Sequence, residues 1–287
     1  MSVLFSLANL VAHAIGYSAL SKQRDKRSQL SPAEASALDT LQLVYKAYSV
    51  AGINTWIWSS VFHTRDTNWT ERADYFSAAG GMVCGLWMAV IRLSGMYKSG
   101  TLRRWQRSAW TTTCLLVFVM HCRHLTRGPR FDYTYNMRFN VVIALLQIGL
   151  WAAWSVHHTL IVPRRHARQS ARAHRANILD QAAVMSQRPT PGLQLSSTSA
   201  THASSHASGS APHALRPLLP LLLLPALSAL ELLDFEPVGP GNWRLLDAHA
   251  LWHLSTVPVV FVWYSFLIQD VEWVKTSLQD ESEKRLL

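Results

Sequence analysis

Long uncharged stretches of about 20 residues constrain this chain more than any other feature of its sequence, because a helix of that length crosses a bilayer. Only 15% of the 287 residues are charged and 49% are hydrophobic, whereas a soluble domain usually carries about 25% charge. The charged residues are also bunched between the apolar stretches. We therefore predict an all-α protein that is embedded in a membrane.

The apolar stretches predict seven membrane-spanning helices that form a single domain over residues 1–287. The predicted spans are residues 2–20, 38–59, 73–94, 102–122, 137–162, 214–233 and 246–269. Asn9 and His13 interrupt the first stretch and no basic segment precedes it, so we interpret it as a retained helix rather than a signal peptide. Residues 163–213 form a loop that is basic and then low in complexity, and residues 270–287 form a tail.

The distribution of Lys and Arg predicts the orientation of the spans. The net charge is +10, and most basic residues fall in the loops after spans one, three and five and in the tail. The positive-inside rule then places the N-terminus in the lumen and the long loop and the tail in the cytosol. The basic residues lie between the apolar spans and not along one face interleaved with aromatic residues, which argues against nucleic-acid binding. Lys46 and Arg92, inside spans two and three, are expected to snorkel toward the membrane surface.

Two short segments combine histidines with other polar residues at the predicted lumenal ends of spans. Ser59 and His63 are four residues apart and share a helix face at the end of span two, and Asp74 opens span three. His249 and His253 are also four residues apart, at the start of span seven. These three span ends lie on the same side of the membrane. The topology therefore predicts that the five side chains meet at one depth.

Three neutral imidazoles with one open position form a known catalytic zinc arrangement, in which the pKa of a bound water falls to about 7. A neighbouring carboxylate such as Asp74 can take a proton, and a hydroxyl such as Ser59 can stabilise an oxyanion. Ser60 competes with Ser59 for this role. In the low-complexity segment 196–212, which predicts a disordered spacer, His202 and His206 are interpreted as incidental, as is His213 just after it.

Four sequence blocks resemble the post-GPI attachment to proteins factor 3 family, whose members remodel the lipid of GPI-anchored proteins. The blocks are WSSVFHTRDTNWTERADYF, RFDYTYN, LELLDF and LDAHALWHLSTVPVVF. The wider superfamily, which includes alkaline ceramidases and adiponectin-type receptors, shares the pattern S-x-x-x-H, a downstream Asp, and H-x-x-x-H in the last span. Those positions are Ser59, His63, Asp74, His249 and His253 in this chain.

The resemblance implies zinc held by the three histidines, with Asp74 and Ser59 beside the metal. It also implies metal-dependent hydrolysis of a particular substrate bond, the sn-2 acyl ester of the GPI phosphatidylinositol. The protein would then be a multi-pass protein of the endoplasmic reticulum membrane or, alternatively, of the Golgi membrane. GPI-anchored proteins would then be its partners. Arg130, Asp132 and Asn136, on the predicted lumenal side, are candidates for contact with the lipid headgroup, with helix-end capping or snorkelling as the alternative for each.

Two other functions stay open on the sequence alone. The same residues could hydrolyse a lipid amide, as in a ceramidase, or the protein could bind GPI-anchored proteins without catalysis. Members of the family usually begin with a signal peptide and a cysteine-rich lumenal segment, whereas this chain starts at its first span. We therefore expect it to be a shortened sequence.

Overall fold

The described part of the chain is helical in a computed structural model, apart from short turns and one isolated β-bridge between Val238 and Leu246. The described residues are 1–23, 30–128, 130–163, 211, 213–229, 237–239 and 246–286. The α-helices within them are α1 (Ser2–Lys22), α2 (Pro32–Thr64), α3 (Asn68–Leu93), α4 (Thr101–Arg127), α5 (Tyr133–Val156), α6 (Leu218–Ser228) and α7 (Ala248–Leu286). A single π-helical turn, His157–Ile161, continues α5.

Local sequence signals begin the helices that carry the candidate site. Ser31 forms a capping box with Glu34 at the start of α2, and Pro32 occupies a first-turn position where its missing N–H is not needed. Thr67 forms a second capping box with Thr70 at the start of α3. These caps satisfy amide groups that a helix start would otherwise leave without partners. The chain can therefore turn sharply between α2 and α3 within residues 65–67.

The helices α1 to α5 alternate in direction along the chain. Ser6 of α1 meets Ser59 of α2, and the Thr55 hydroxyl of α2 donates to the Ser77 carbonyl of α3. α4 returns along α3, where the Trp87 indole donates to Thr111. By the same pattern α1, α3, α5 and α7 all begin at one end of the bundle, which we call the site end. The predicted side-by-side placement of the ends of spans two, three and seven is therefore present in the structure.

Within the part of the chain that the structure describes, four helical segments are long and apolar enough to cross a membrane: Ser2–Lys22, Asn68–Leu93, Tyr133–Ile161 and Ala248–Asp280. Large apolar side chains face outward on α1, α4 and α5, among them Val11, Leu116 and Leu145, which are 52%, 59% and 61% exposed. Apolar surface of this extent is typical of contact with lipid. The structure therefore indicates a multi-pass membrane protein, while the number of spans and their orientation remain predictions.

Two elements differ from the sequence prediction. The predicted sixth span, 214–233, contains only the 11-residue helix α6, after a turn over residues 213–217, and its residues 230–233 lie outside the described part. The predicted tail does not leave the bundle at Gln269, because α7 continues without a break to Leu286. His202 and His206 of the long loop also lie outside the described residues.

A buried ion pair lies at the opposite end of the bundle. The Arg92 guanidinium donates to both carboxylate oxygens of Asp270, at 2.6 and 2.7 Å. The Tyr45 hydroxyl donates to the same carboxylate at 2.5 Å, and His213 Nε2 lies 3.1 Å from it. The expectation that Arg92 snorkels is wrong: its side chain is 5% exposed, because Asp270 of α7 supplies its counterion within the bundle.

Candidate metal centre

Three histidine rings converge at the site end of the bundle. His63 comes from the last turn of α2, whereas His249 and His253 come from the first two turns of α7. The Nε2 atom of His63 lies 3.1 Å from that of His249 and 3.3 Å from that of His253. The Nε2 atoms of His249 and His253 are 2.8 Å apart. The three nitrogens therefore form a compact triangle at the meeting point of two helices.

This triangle fits a tetrahedral metal ion. Zinc–nitrogen bonds of about 2.0–2.1 Å in a tetrahedron place the ligand nitrogens about 3.3 Å apart, close to the separations of 2.8–3.3 Å among these rings. Each Nε2 of a neutral imidazole either donates one proton or accepts one, so three of them cannot satisfy one another pairwise. A cation that accepts all three lone pairs satisfies them at once. The cluster could therefore hold a metal ion.

The start of α7 is fixed by Asp247. Its carboxylate accepts from the Ala250 amide at 2.7 Å, and its carbonyl accepts from the Leu251 amide. These are the contacts of a helix N-cap, and they set the direction in which the first turn carries His249. Asp247 also interacts electrostatically with His63. The sequence analysis missed this residue, although an Asp directly before an apolar helical pattern is a recognised start signal.

Asp74 lies beside the cluster, on the second turn of α3. Its side chain is partly exposed and interacts electrostatically with His249. The Ser77 hydroxyl donates to the Asp74 carbonyl within the same helix, at 2.9 Å. The carboxylate is thus partly exposed on a third helix, near enough to His249 for an electrostatic interaction. Such a position suits a group that exchanges protons with a reactant.

The two adjacent serines of α2 have different partners. The Ser59 hydroxyl, which is 4% exposed, lies 3.0 Å from the Ser6 hydroxyl of α1. The Ser60 hydroxyl instead donates to the Trp56 carbonyl of its own helix at 2.7 Å. Ser59 therefore points into the bundle one turn from His63, whereas Ser60 is occupied with the helix backbone. This difference favours Ser59 as the polar group of the site.

Aromatic rings enclose one side of the cluster. The ring of Trp56 lies 5.2 Å from that of His253 in an edge contact, and the Trp252 ring lies 4.9 Å from it. Phe62 packs beside His63 at 5.2 Å. These apolar walls exclude water from the buried side of the triangle and strengthen electrostatic interactions within it.

The predicted headgroup residues lie at the same end but apart from the triangle. Asp132 is exposed and caps α5, where its carboxylate accepts from the Tyr135 amide at 2.9 Å. Arg130 is exposed next to it, whereas Asn136 is 5% exposed. The described hydrogen bonds and ion pairs of these three residues do not include His63, His249 or His253; Asn136 instead interacts with His121 of α4. The ring centroids of Tyr75 of α3 and Phe131 are nevertheless 5.0 Å apart. Residues 130–136 therefore border α3, the helix that carries Asp74.

Fold and site together define a class: helical membrane proteins in which two helices share a cluster of three histidines that could hold a metal ion. The model of the Per1-like family matches residues 1–271. The chain belongs to this family, as the sequence blocks predicted.

Named relatives agree with that assignment. The chain is 30% identical over 235 residues to "GPI-specific phospholipase A2-like PGAP3" of Homo sapiens, which covers 82% of this chain and 55% of the relative. The corresponding protein of Cricetulus griseus is 32% identical over 224 residues, 78% of this chain and 52% of its own. "Protein PER1 homolog" of Schizosaccharomyces pombe is 29% identical over 272 residues, 93% of this chain and 61% of its own. The chain thus spans about half the length of the first two relatives.

Proposed function

We propose that the protein remodels the lipid of GPI-anchored proteins by hydrolysing the sn-2 acyl ester of the GPI phosphatidylinositol. The observation that carries the proposal is the triangle of Nε2 atoms from His63, His249 and His253, with separations of 2.8–3.3 Å. Relatives named GPI-specific phospholipase A2-like support the substrate. A histidine triangle with an adjacent carboxylate and hydroxyl favours hydrolysis over binding alone.

Zinc is the metal that best suits three neutral imidazoles, since it accepts nitrogen ligands in a tetrahedron and leaves a fourth position open. A zinc ion held there supplies Lewis-acid chemistry toward an ester carbonyl. His249 and His253 are four residues apart on one helix, which keeps two of the three nitrogens at a fixed separation. His63 closes the triangle from α2.

Asp74 transfers protons in this hydrolysis, and Ser59 stabilises the oxyanion. Asp74 takes a proton from the attacking water and returns it to the leaving alkoxide, so the acyl–oxygen bond breaks to give a free fatty acid and a lysolipid. Ser59 donates to the developing oxyanion, and such a donor typically contributes about 10²–10³ in rate. Its partner Ser6, 3.0 Å away, orients the hydroxyl.

We place the acyl chain toward a small cavity that lies deeper in the bundle than the triangle and has a mainly apolar lining. Its lining includes Leu221 of α6, Trp151 of α5, and Val259 and Trp263 of α7. Val259 and Trp263 follow His253 by six and ten residues, which corresponds to about 9 and 15 Å along α7. A chain whose ester lies at the histidines can therefore extend toward the middle of the bundle.

The membrane arrangement completes the proposal. We place the site end in the lumen of the endoplasmic reticulum, or alternatively of the Golgi, since GPI-anchored proteins are presented there. In this proposal the protein crosses the membrane seven times, with α6 as only part of the sixth crossing, and its N-terminus is lumenal. Arg130, Asp132 and Asn136 then lie on the lumenal side, where they can contact the charged headgroup.

A reconstituted assay tests the chemistry directly. The full chain, purified in detergent and loaded with zinc, is mixed with micelles of phosphatidylinositol that carries a labelled sn-2 chain, and release of fatty acid is measured. A ceramide with a labelled amide chain runs in parallel. Release from the ester alone is expected; release only from ceramide would favour a lipid amide hydrolase, and release from neither would favour a binding factor.

Two adjacent variants provide a matched pair for this assay. Ser59→Ala should lower the rate about 10²-fold or more, whereas Ser60→Ala should retain it, because that hydroxyl bonds to its own helix. Equal rates for the two variants would refute the role of Ser59.

A further inference from the structure

A row of buried polar side chains lies on one face of α1. Ser6 and Asn9 are fully buried and His13 is 5% exposed, although the helix is otherwise apolar. The spacing of three and four residues puts them on one helical stripe. Each contacts α2 or α7: Ser6 meets Ser59, Asn9 meets the backbone of α7, and His13 Nδ1 lies 2.8 Å from the Tyr264 hydroxyl.

Asn9 uses its whole amide in this arrangement. Its Nδ2 donates to the His253 carbonyl at 2.8 Å and to the Phe5 carbonyl of its own helix at 3.0 Å. Its Oδ1 accepts from the Thr256 hydroxyl at 3.2 Å, and that hydroxyl also lies 2.8 Å from the His253 carbonyl. Asn9 therefore bonds the His253 carbonyl directly, and the one proton of the Thr256 hydroxyl is shared between that carbonyl and Asn9 Oδ1.

The turn of α7 that Asn9 contacts is also weakened by a proline. Pro258 lies inside α7, and because it has no N–H it cannot bond the carbonyl of Leu254, four residues before it. A proline ring also pushes that carbonyl away from the helix axis. The turn of α7 that follows His253 thus lacks one backbone hydrogen bond. Asn9 of α1 supplies a hydrogen bond to the neighbouring carbonyl, that of His253.

The imidazole of His253 has little else to hold it. Among the described residues, no group forms a hydrogen bond with its Nδ1 atom, which is buried. In many metal sites such a bond from the second ring nitrogen fixes the orientation of the ligand. Here the aromatic contacts of Trp56 and Trp252 and the backbone position set by Asn9 replace it.

Close packing fixes the register of α1 against its neighbours. A Cβ atom at Gly52 would lie 2.3 Å from the His13 ring, and one at Gly16 would lie 2.4 Å from the Tyr264 ring. Separations below about 3 Å do not occur between such atoms, so only glycine permits this approach. α1 therefore cannot slide, and the amide of Asn9 stays at one height along α7.

We propose that Asn9 is a positioning residue for His253: it fixes the proline-weakened turn of α7 and so holds the third ligand nitrogen in the triangle. The restraint of the α7 turn by Asn9 depends only on the fold. The effect of Asn9 on metal binding rests on the proposed function.

Hydrogen–deuterium exchange of the metal-free full chain in detergent tests the first part. Asn9→Leu, which keeps the side-chain volume and removes all three bonds, should raise exchange of amides 254–257 roughly three- to tenfold. The matched control is Thr55→Val, which removes a side-chain bond to the Ser77 carbonyl of α3. The control should raise exchange only in α3 and leave α7 unchanged.

Release of zinc to a chelator tests the second part. The Asn9→Leu variant should release zinc about tenfold faster than wild type or more, since loss of a supporting contact typically costs 10- to 100-fold in affinity. The Thr55→Val control should release it at the wild-type rate.

The outcomes separate the two proposals. If exchange of 254–257 in Asn9→Leu equals wild type, or rises equally in Thr55→Val, the positioning role is refuted. If wild type retains no zinc, the metal chemistry of the proposed function fails, and the exchange result alone decides the role of Asn9. If zinc is retained but both variants release it at one rate, Asn9 does not position the ligand.

Discussion

The ion pair between Arg92 and Asp270 predicts a large stability effect. Both side chains are buried, and the Asp270 carboxylate receives two bonds from Arg92 and one from Tyr45 and contacts His213. Asp270→Ala removes all of these and leaves a guanidinium buried among the rings of Trp154 and Trp273. Removal of one partner from a buried pair costs about 3–5 kcal/mol. At about 2 °C per kcal/mol for a chain of this length, Tm should fall by about 6–10 °C.

The free cysteines allow this change in Tm to be measured. Cys114 is buried, and Cys84 and Cys122 are partly buried, so a thiol-reactive fluorescent dye reports unfolding on heating in detergent. The double variant Arg92→Met with Asp270→Leu should recover most of the lost stability, because it leaves no uncompensated charge. A Tm for Asp270→Ala within about 2 °C of wild type, or no recovery in the double variant, would refute the reasoning.

Three further predictions concern the site, the cavity and the packing of α1. His249→Ala should abolish zinc retention in elemental analysis of purified protein while His124→Ala, on exposed α4 surface, keeps it; retention by both would argue against the triangle as the metal site. Leu221→Trp should fill the cavity and shift hydrolysis toward shorter sn-2 chains, so an unchanged chain-length profile would count against the acyl pocket. Gly52→Val should force the His13 ring out of its contact and destabilise the protein by about 1–3 kcal/mol in the dye assay; wild-type melting would show that α1 adapts.

The sequence predicts the site better than it predicts the contacts that support it. His249 and His253 share a helix face because of their spacing, and alternation of the helices brings His63 beside them, so the triangle follows from local periodicity and topology. Asp74 is expected beside the triangle because it lies in the second turn of α3, near the same end of the bundle. None of these inferences needs knowledge of side-chain packing.

Pairings between distant positions could not be predicted in this way. Arg92 and Asp270 are separated by 178 residues, and a lone arginine in an apolar stretch suggests snorkelling unless its partner is known. Asn9 interrupts an apolar run and carries no motif, although its spacing from His13 marks a buried polar stripe. α6 begins only after the turn over residues 213–217, directly after Pro217, and hydropathy alone does not mark this start.

Mass spectrometry of GPI anchors in cells tests the central claim most directly. Cells defective in GPI lipid remodelling would express the full chain, or its His253→Ala variant at equal abundance and in the same membrane, and the acyl chains of the anchors would be compared. The account predicts that the wild-type chain changes the sn-2 chain and that the variant does not. Unchanged sn-2 chains with a correctly placed, zinc-loaded wild-type protein, or equal change with the variant, would contradict it.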